Sequence, residues 1–290
     1  MPAINKEQHN YRIGLDIGGT KINGVLFGAG VVIENFQVAT PTDNLSHLMI
    51  MLKAVLDPLI ERAIKDNKKV EFLGVGVPGT INHRAERIIT CTNISILDDV
   101  KLLTRIRNEL NLNMSMKMDN DANCFTRAEA VLGAGSGLTN IYALTIGTGI
   151  GGGWWFNNQI YQGAHGGAGE ICDMIIDFDN KMTLEEAYKK LTQNNPRLLA
   201  QEAYEGDILA EKCFQELGAY LGLAFANIVN LLDPELIVIG GGASSSSDLF
   251  LTTAQKTMKK HLASKDARKI NIVKSKLGAN AGAIGAALMK

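Results

Sequence analysis

The chain has 290 residues, 46% hydrophobic and 20% charged, with a formal net charge of -1. A protein of that length exceeds a comfortable single core, so two lobes are expected, and near-neutral charge excludes an electrostatic footprint for nucleic acid or anionic membrane. The four cysteines, Cys91, Cys124, Cys172 and Cys213, form no C-x-x-C pair, which argues against both a zinc ribbon and a disulfide framework and for a reduced, cytoplasmic protein.

The polar start M-P-A-I-N-K-E-Q-H-N lacks a leader-like apolar stretch, and no apolar run of membrane-spanning length follows. Residues 12–17, 21–27 and 31–38 then read as an antiparallel meander. Its first turn, Gly18-Gly19, lets backbone N–H groups approach an anion, with Thr20 and Lys21 adding a hydroxyl and a cation. An ordinary Gly-Gly hairpin with a solvated lysine reads equally well from that turn alone. Asp43 or Asn44 can cap a helix whose apolar stripe runs from Leu45 to Ala63. A buried strand at 70–77 ends at Pro78-Gly79 and is expected to run parallel to its neighbour.

A loop over 80–99 holds Asn93, followed by a helix near 100–110 and a strand at 114–118 that delivers Asp119-Asn120-Asp121. Residues 122–132 read as a helix and 133–137 as its stop. Hairpin logic then repeats: a strand at 140–146, the turn Gly147-Thr148-Gly149 and a returning strand at 151–156. After a run at 159–161 comes a glycine-rich loop, 163–170, which carries Glu170. Helices are expected at 181–191, 196–205 and 207–232, then a strand at 235–239 delivering Gly240-Gly241-Gly242, a helix at 248–262, a strand at 270–273 and a terminal helix at 280–289. The fold class is α/β with mixed sheets and flanking helices. Residues 1–121 plus 279–290 form the expected N-terminal lobe and residues 122–278 the C-terminal lobe.

Glycine clusters end several strands, yet no G-x-x-x-x-G-K-[ST] exists. Gly147 to Gly152 matches G-x-G-x-x-G literally, but the chain continues G-W-W-F-N-N-Q-I-Y, a strand-turn-strand signal where a dinucleotide fingerprint needs a helix. Asp121, at a strand's carboxyl end, suits a general base that takes a hydroxyl proton during phosphoryl transfer. It suits equally an N-cap for the helix that follows. Glu170 can accept hydrogen bonds from sugar hydroxyls or be a surface carboxylate. Asp16 follows buried strand positions and needs a partner: a hydrated Mg²⁺ would serve, as would Lys21.

Together D-I-G-G-T-K at 16–21, G-V-P-G at 76–79, N-D-A-N at 120–123, T-I-G-T-G-I-G-G-G at 145–153, G-A-G-E at 167–170 and I-G-G-G at 239–242 resemble the ROK family of sugar kinases and repressors. The resemblance implies a two-lobe hexokinase/actin-like ATPase fold, ribonuclease H-like in each lobe, that closes over ATP-Mg²⁺ and a sugar. It places Gly18, Gly19, Thr20 and Lys21 with Thr145, Gly147, Thr148 and Gly149 around the phosphates, and Gly240, Gly241 and Gly242 by the adenosine. Gly79, Asn93, Asn120 and Glu170 would contact the sugar, and Asp121 would be the base.

Family members usually carry His three residues after the Glu, then a cysteine-rich zinc loop. Here Asp173 stands at that position with no cysteine cluster before Cys213, so no zinc is expected, and an acceptor-only carboxylate beside the sugar favours donor hydroxyls. Leu97 stands where the family often has Trp. The expected activity is ATP-dependent phosphorylation of a hexose at its primary hydroxyl, by a cytoplasmic homodimer acting on a small-molecule sugar. Alternatives are a kinase for an N-acetylated amino sugar or fructose, and a silent sugar sensor. A repressor would need a DNA-binding helix set, and about ten residues precede the first strand.

Overall fold

The computed structural model describes residues 10–91 and 93–290; the polar N-terminal stretch of residues 1–9 and Thr92 lie outside the described residues. The chain divides into two compact units, one holding the described residues up to Ala128 with Gln162–Gly167 and Ala279–Lys290, the other Glu129–Tyr161 with Ala168–Gly278.

In the first unit, β1 (Tyr11–Ile17), β2 (Lys21–Gly28) and β3 (Val31–Ala39) form the antiparallel meander. Helix α1 (Leu45–Lys65) crosses over to β4 (Val70–Val77), which pairs parallel with β1. The apolar stripe of α1 buries Leu48, Leu52, Val55, Leu56 and Leu59 against this sheet. Its cap is Asn44, whose side chain accepts from His47 N at 2.8 Å. The segment expected as a plain loop holds a hairpin, β5 (Thr80–Asn82) with β6 (Arg87–Thr90). Strands of three and four residues are too short to show a period of two, so periodicity could not reveal them. Helix α2 (Leu102–Glu109) leads to β7 (Ser115–Asn120), which pairs parallel with β4, and α3 (Asp121–Val131) starts at once after it.

The second unit repeats the plan. Strands β8 (Asn140–Ile146), β9 (Ile150–Phe156) and β10 (Gln159–Ile160) are antiparallel neighbours. A small hairpin, β11 (Ile175–Asp177) with β12 (Met182–Thr183), precedes α4 (Leu184–Thr192). That helix starts three residues later than its periodicity suggests because Thr183 and Glu186 close a capping box. Helices α5 (Pro196–Tyr204) and α6 (Ile208–Leu232) follow, then β13 (Leu236–Gly240), parallel to β8. The helix expected at 248–262 is α7 (Leu251–Lys260), preceded by a 3-10 stretch over Gly242–Leu249. Strand β14 (Asn271–Lys274) pairs parallel with β13. The two five-stranded sheets thus have matching orders, β3-β2-β1-β4-β7 and β10-β9-β8-β13-β14.

Helix α8 (Ala281–Ala287) returns to the first unit and packs on β1 and β4. Its small residues allow backbone-to-backbone approach: a Cβ placed on Gly74 would collide with the Ala286 carbonyl, and one on Gly14 with that of Ala283. Since the obstacle is main chain, it has no rotamer through which to yield. Gly74→Ala is therefore expected to destabilise the protein by roughly 1–3 kcal/mol, the range for overpacking a tight interior. Urea unfolding should show a lower midpoint with an unchanged slope.

Candidate active site

Parallel strands present their carboxyl ends on one edge of a sheet, and in the first unit three adjacent strands do so. Asp16 on β1 is in register with Gly76 on β4, which pairs with Asp119 on β7, one residue before Asn120. Pairing thus gathers Asp16, the Pro78-Gly79 turn and Asn120-Asp121, which are far apart in sequence. The Gly18-Gly19 turn closes β1 and β2 through Gly18 N to Lys21 O at 2.9 Å. Asn93 comes to the same place: a Cβ on Gly19 would stand 3.1 Å from that of Asn93.

The β7–α3 junction answers the question raised by Asp121. Asn120 is the cap, its Oδ1 accepting from Ala122 N at 2.8 Å and Asn123 N at 3.2 Å, while its Nδ2 donates to the Gly79 carbonyl at 3.1 Å. Asp121 Oδ1 accepts from Ala122 N at 2.8 Å. Burial pushes the Asp121 carboxyl up, with the backbone N–H of Ala122 pulling it back. Asp16 is pushed up to about 7, first by burial and then by the charge of Asp121, with Lys21 acting in the opposite sense. Asp16 lies against α8, where a Cβ on Gly282 would collide with its carboxylate. Lys21 is exposed, and its Nζ donates to Gln37 Oε1 at 3.4 Å, so it forms no ion pair with Asp16 among the described residues.

Two half-buried carboxylates, both raised by burial and one of them, Asp16, raised further by the charge of Asp121, are an arrangement a divalent cation relieves. The donor set fits Mg²⁺, which takes one or two carboxylates and fills its octahedron with water and phosphate oxygens. Among the described residues no group of three or more His, Cys, Asp or Glu is placed to hold a metal ion by itself.

In the second unit the glycine turns also meet at a carboxyl edge. Thr145 on β8 is in register with Gly240 on β13, and Gly241, with φ of 82°, lies so close to Ile146 that a side chain would strike its backbone. The Gly147-Thr148-Gly149 turn is closed by Gly147 N to Gly149 O at 2.8 Å and held from α4 by Tyr188 Oη, which donates to Gly147 O at 2.6 Å. Glu170 accepts from Cys172 Sγ at 3.5 Å, and Asp173 sits exposed in the short 3-10 turn that follows.

Residues 12–290 match the ROK family. The chain belongs to the ROK family. Among its relatives, the N-acetyl-D-glucosamine kinase of Mannheimia succiniciproducens is 29% identical, covering 95% of this chain and 98% of that protein. The xylose repressor of Caldicellulosiruptor bescii is 25% identical over 86% of this chain and 69% of its own length. The crystal structure of a ROK family glucokinase from Streptomyces griseus, in complex with glucose and AMPPNP, is 25% identical, with a TM-score of 0.79 over 96% of this chain and 98% of that one. The α/β architecture with its mixed sheets is the actin-like ATPase fold of ROK sugar kinases. Among the described residues no helix is long and apolar enough to cross a membrane.

Sequence reasoning did not single out Asp119, Arg127, Tyr142 or Tyr188. Tyr142 Oη donates to the Gly169 carbonyl beside Glu170, as Tyr188 does to Gly147. Each acts on a loop 27 or more residues distant, and no local pattern carries such a contact.

Proposed function

We propose that this ROK protein is a sugar kinase that transfers the γ-phosphoryl group of ATP to the primary hydroxyl of a hexose. The observation that carries the reading is the division of labour at the β7–α3 turn. Asn120 accepts from two of the orphan N–H groups of the helix start, so capping does not depend on the Asp121 carboxylate. Raised by burial, that carboxylate is a better proton acceptor than a solvated one.

Asp121 takes the hydroxyl proton as the sugar oxygen attacks phosphorus. The Asn120 amide, held on three backbone partners, presents a fixed remaining N–H to a sugar oxygen. Gly79 and Asn93 in the first unit and Glu170 and Asp173 in the second are the proposed further sugar contacts. Gly18 to Lys21, Thr145, Gly147 to Gly149 and Gly240 to Gly242 are assigned to the nucleotide, through backbone N–H groups where a glycine leaves the main chain bare. Asp16 would hold a hydrated Mg²⁺ ion, which when bound neutralises phosphate charge. The glucokinase solved with glucose and AMPPNP and the N-acetyl-D-glucosamine kinase relative support a hexose or an N-acetylated amino sugar as acceptor. An exposed, acceptor-only Asp173 favours a ring with donor hydroxyls there.

A coupled ADP-release assay over glucose, mannose, fructose, N-acetylglucosamine and N-acetylmannosamine, with ATP and polyphosphate as alternative donors, tests this. Sugar-dependent turnover at 1 s⁻¹ or more, roughly the lower end for kinases, is expected with at least one pair. Turnover with none of them overturns the proposal.

A further inference from the structure

Behind the acid-bearing turn, on the opposite face of β7 from Asn120, lies an ion pair that touches no proposed ligand. Asp119 is 2% exposed and the Arg127 side chain 12%. Arg127 Nη2 donates to Asp119 Oδ2, and Nη1 donates to the Gly285 carbonyl of α8 at 3.3 Å and weakly to Cys124 Sγ at 3.8 Å. The second carboxylate oxygen, Asp119 Oδ1, accepts from the backbone N–H of Asn120 at 2.9 Å and from Asn123 Nδ2 at 3.1 Å. One guanidinium therefore fixes a carboxylate that fixes the residues on either side of Asp121.

The same guanidinium bonds to α8, and that helix packs at Gly282 against Asp16. α8 and α3 are also in main-chain contact, since a Cβ on Gly285 would strike the Cys124 carbonyl. We infer that Arg127, acting through Asp119, is a positioning residue that holds Asp121 in place relative to Asp16. This rests on the kinase reading for its catalytic consequence and on geometry for the positioning itself.

A stabilising role alone does not account for the arrangement. A buried ion pair is weak evidence for stability, because two apolar side chains of the same volume often do as well. An apolar pair, however, cannot accept the Asn120 N–H and the Asn123 amide. Lysine could neutralise Asp119 but, with one nitrogen, cannot reproduce the planar fork that reaches both Asp119 and Gly285.

The pair also borders a cavity of about 340 Å³ lined by His83, Lys117, Gln162 and Met289 among others. Water entering there can hydrate Asp119 when Arg127 is shortened, so the variants are expected to fold.

Arg127→Lys and Arg127→Met, measured well below their unfolding midpoints, test the inference. Misplacing a reacting group by about 1 Å can cost 10²-fold, so kcat should fall about 10- to 100-fold, less in the Lys variant. KM for sugar should change less than about threefold, because Asn120 keeps its own bond to Gly79. A folded Arg127→Lys protein with kcat within about twofold of wild type overturns the inference, as does a loss confined to KM or to the unfolding midpoint.

If the wild-type protein turns over none of the sugars, the kinase reading fails by itself, and amide hydrogen exchange decides the positioning. Exchange at Asn120 that is at least about tenfold faster in Arg127→Lys, with α1 unchanged, supports it. Unchanged exchange at Asn120 overturns it.

Discussion

Asp121→Asn is expected to lose about 10²- to 10⁴-fold in sugar-dependent kcat, the range supplied by a positioned general base, with little change in KM. The side chains are nearly isosteric, and the amide oxygen can still accept from Ala122 N, where Asp121 Oδ1 now sits. What disappears is the ability to take a proton. The fold should survive because the cap of α3 is Asn120, which the substitution leaves intact. Burial works against the charged carboxylate, so the Asn protein should unfold at a temperature equal to or above wild type. Were Asp121 merely a helix cap, activity would be retained and stability would barely change, because Asn caps a helix as well as Asp does. Steady-state kinetics and a thermal melt on one preparation separate these cases.

Asp16→Asn should act on both stability and turnover. The native carboxyl is raised to about 7 from 3.8, so the folded protein holds this proton more tightly than the unfolded chain. Stabilisation from that proton is complete below about pH 4 and is lost as pH rises to about 7, where native Asp16 must ionise beside Asp121. An Asn at this position carries no such titration. The stability advantage of Asp16→Asn over wild type should therefore be near zero at pH 4, grow between pH 4 and 7, and level off at roughly 3–5 kcal/mol above that. The burial-raised Asp121 contributes to wild type in the same direction. Urea titrations at several pH values measure the difference. Turnover should meanwhile fall roughly 10²-fold or more, the scale of removing one electrostatic stabiliser from a site that excludes water, and should need more Mg²⁺. A pH-independent stability difference would show that Asp16 keeps an ordinary carboxyl in the fold.

Much of the architecture was legible along the chain because its signals are local. Alternating apolar residues broken by Gly18-Gly19 and by Gly147 to Gly149 specify hairpins whatever surrounds them. The leucine stripe of α1 reads as one helix face, and six short motifs in order point to the ROK family, which the match over residues 12–290 bears out. The hairpin 80–90 escaped notice because its strands run three and four residues, and the 3-10 stretch at 242–249 because a run of serines has no apolar period.

At the candidate site, residue identities were set by sequence and relations by packing. That Asp121 ends a strand is a local fact; that Asn120, not Asp121, caps α3 depends on the Gly79 carbonyl 41 residues away. The carboxylate of Asp16 needed a partner on sequence grounds, with Lys21 beside it in the hairpin. Strand pleating instead leaves Lys21 exposed and directed at Gln37 on β3, while the parallel pairing of β1, β4 and β7 brings Asp121 near Asp16. The sequence by itself determined the strands, the glycine turns and the acids that end them, since dihedral freedom and burial propensity reside in each residue. Only the tertiary structure decided which acid is free to accept a proton and what holds it there, since α8 and the Asp119–Arg127 pair reach that turn across distances along the chain that no local rule spans.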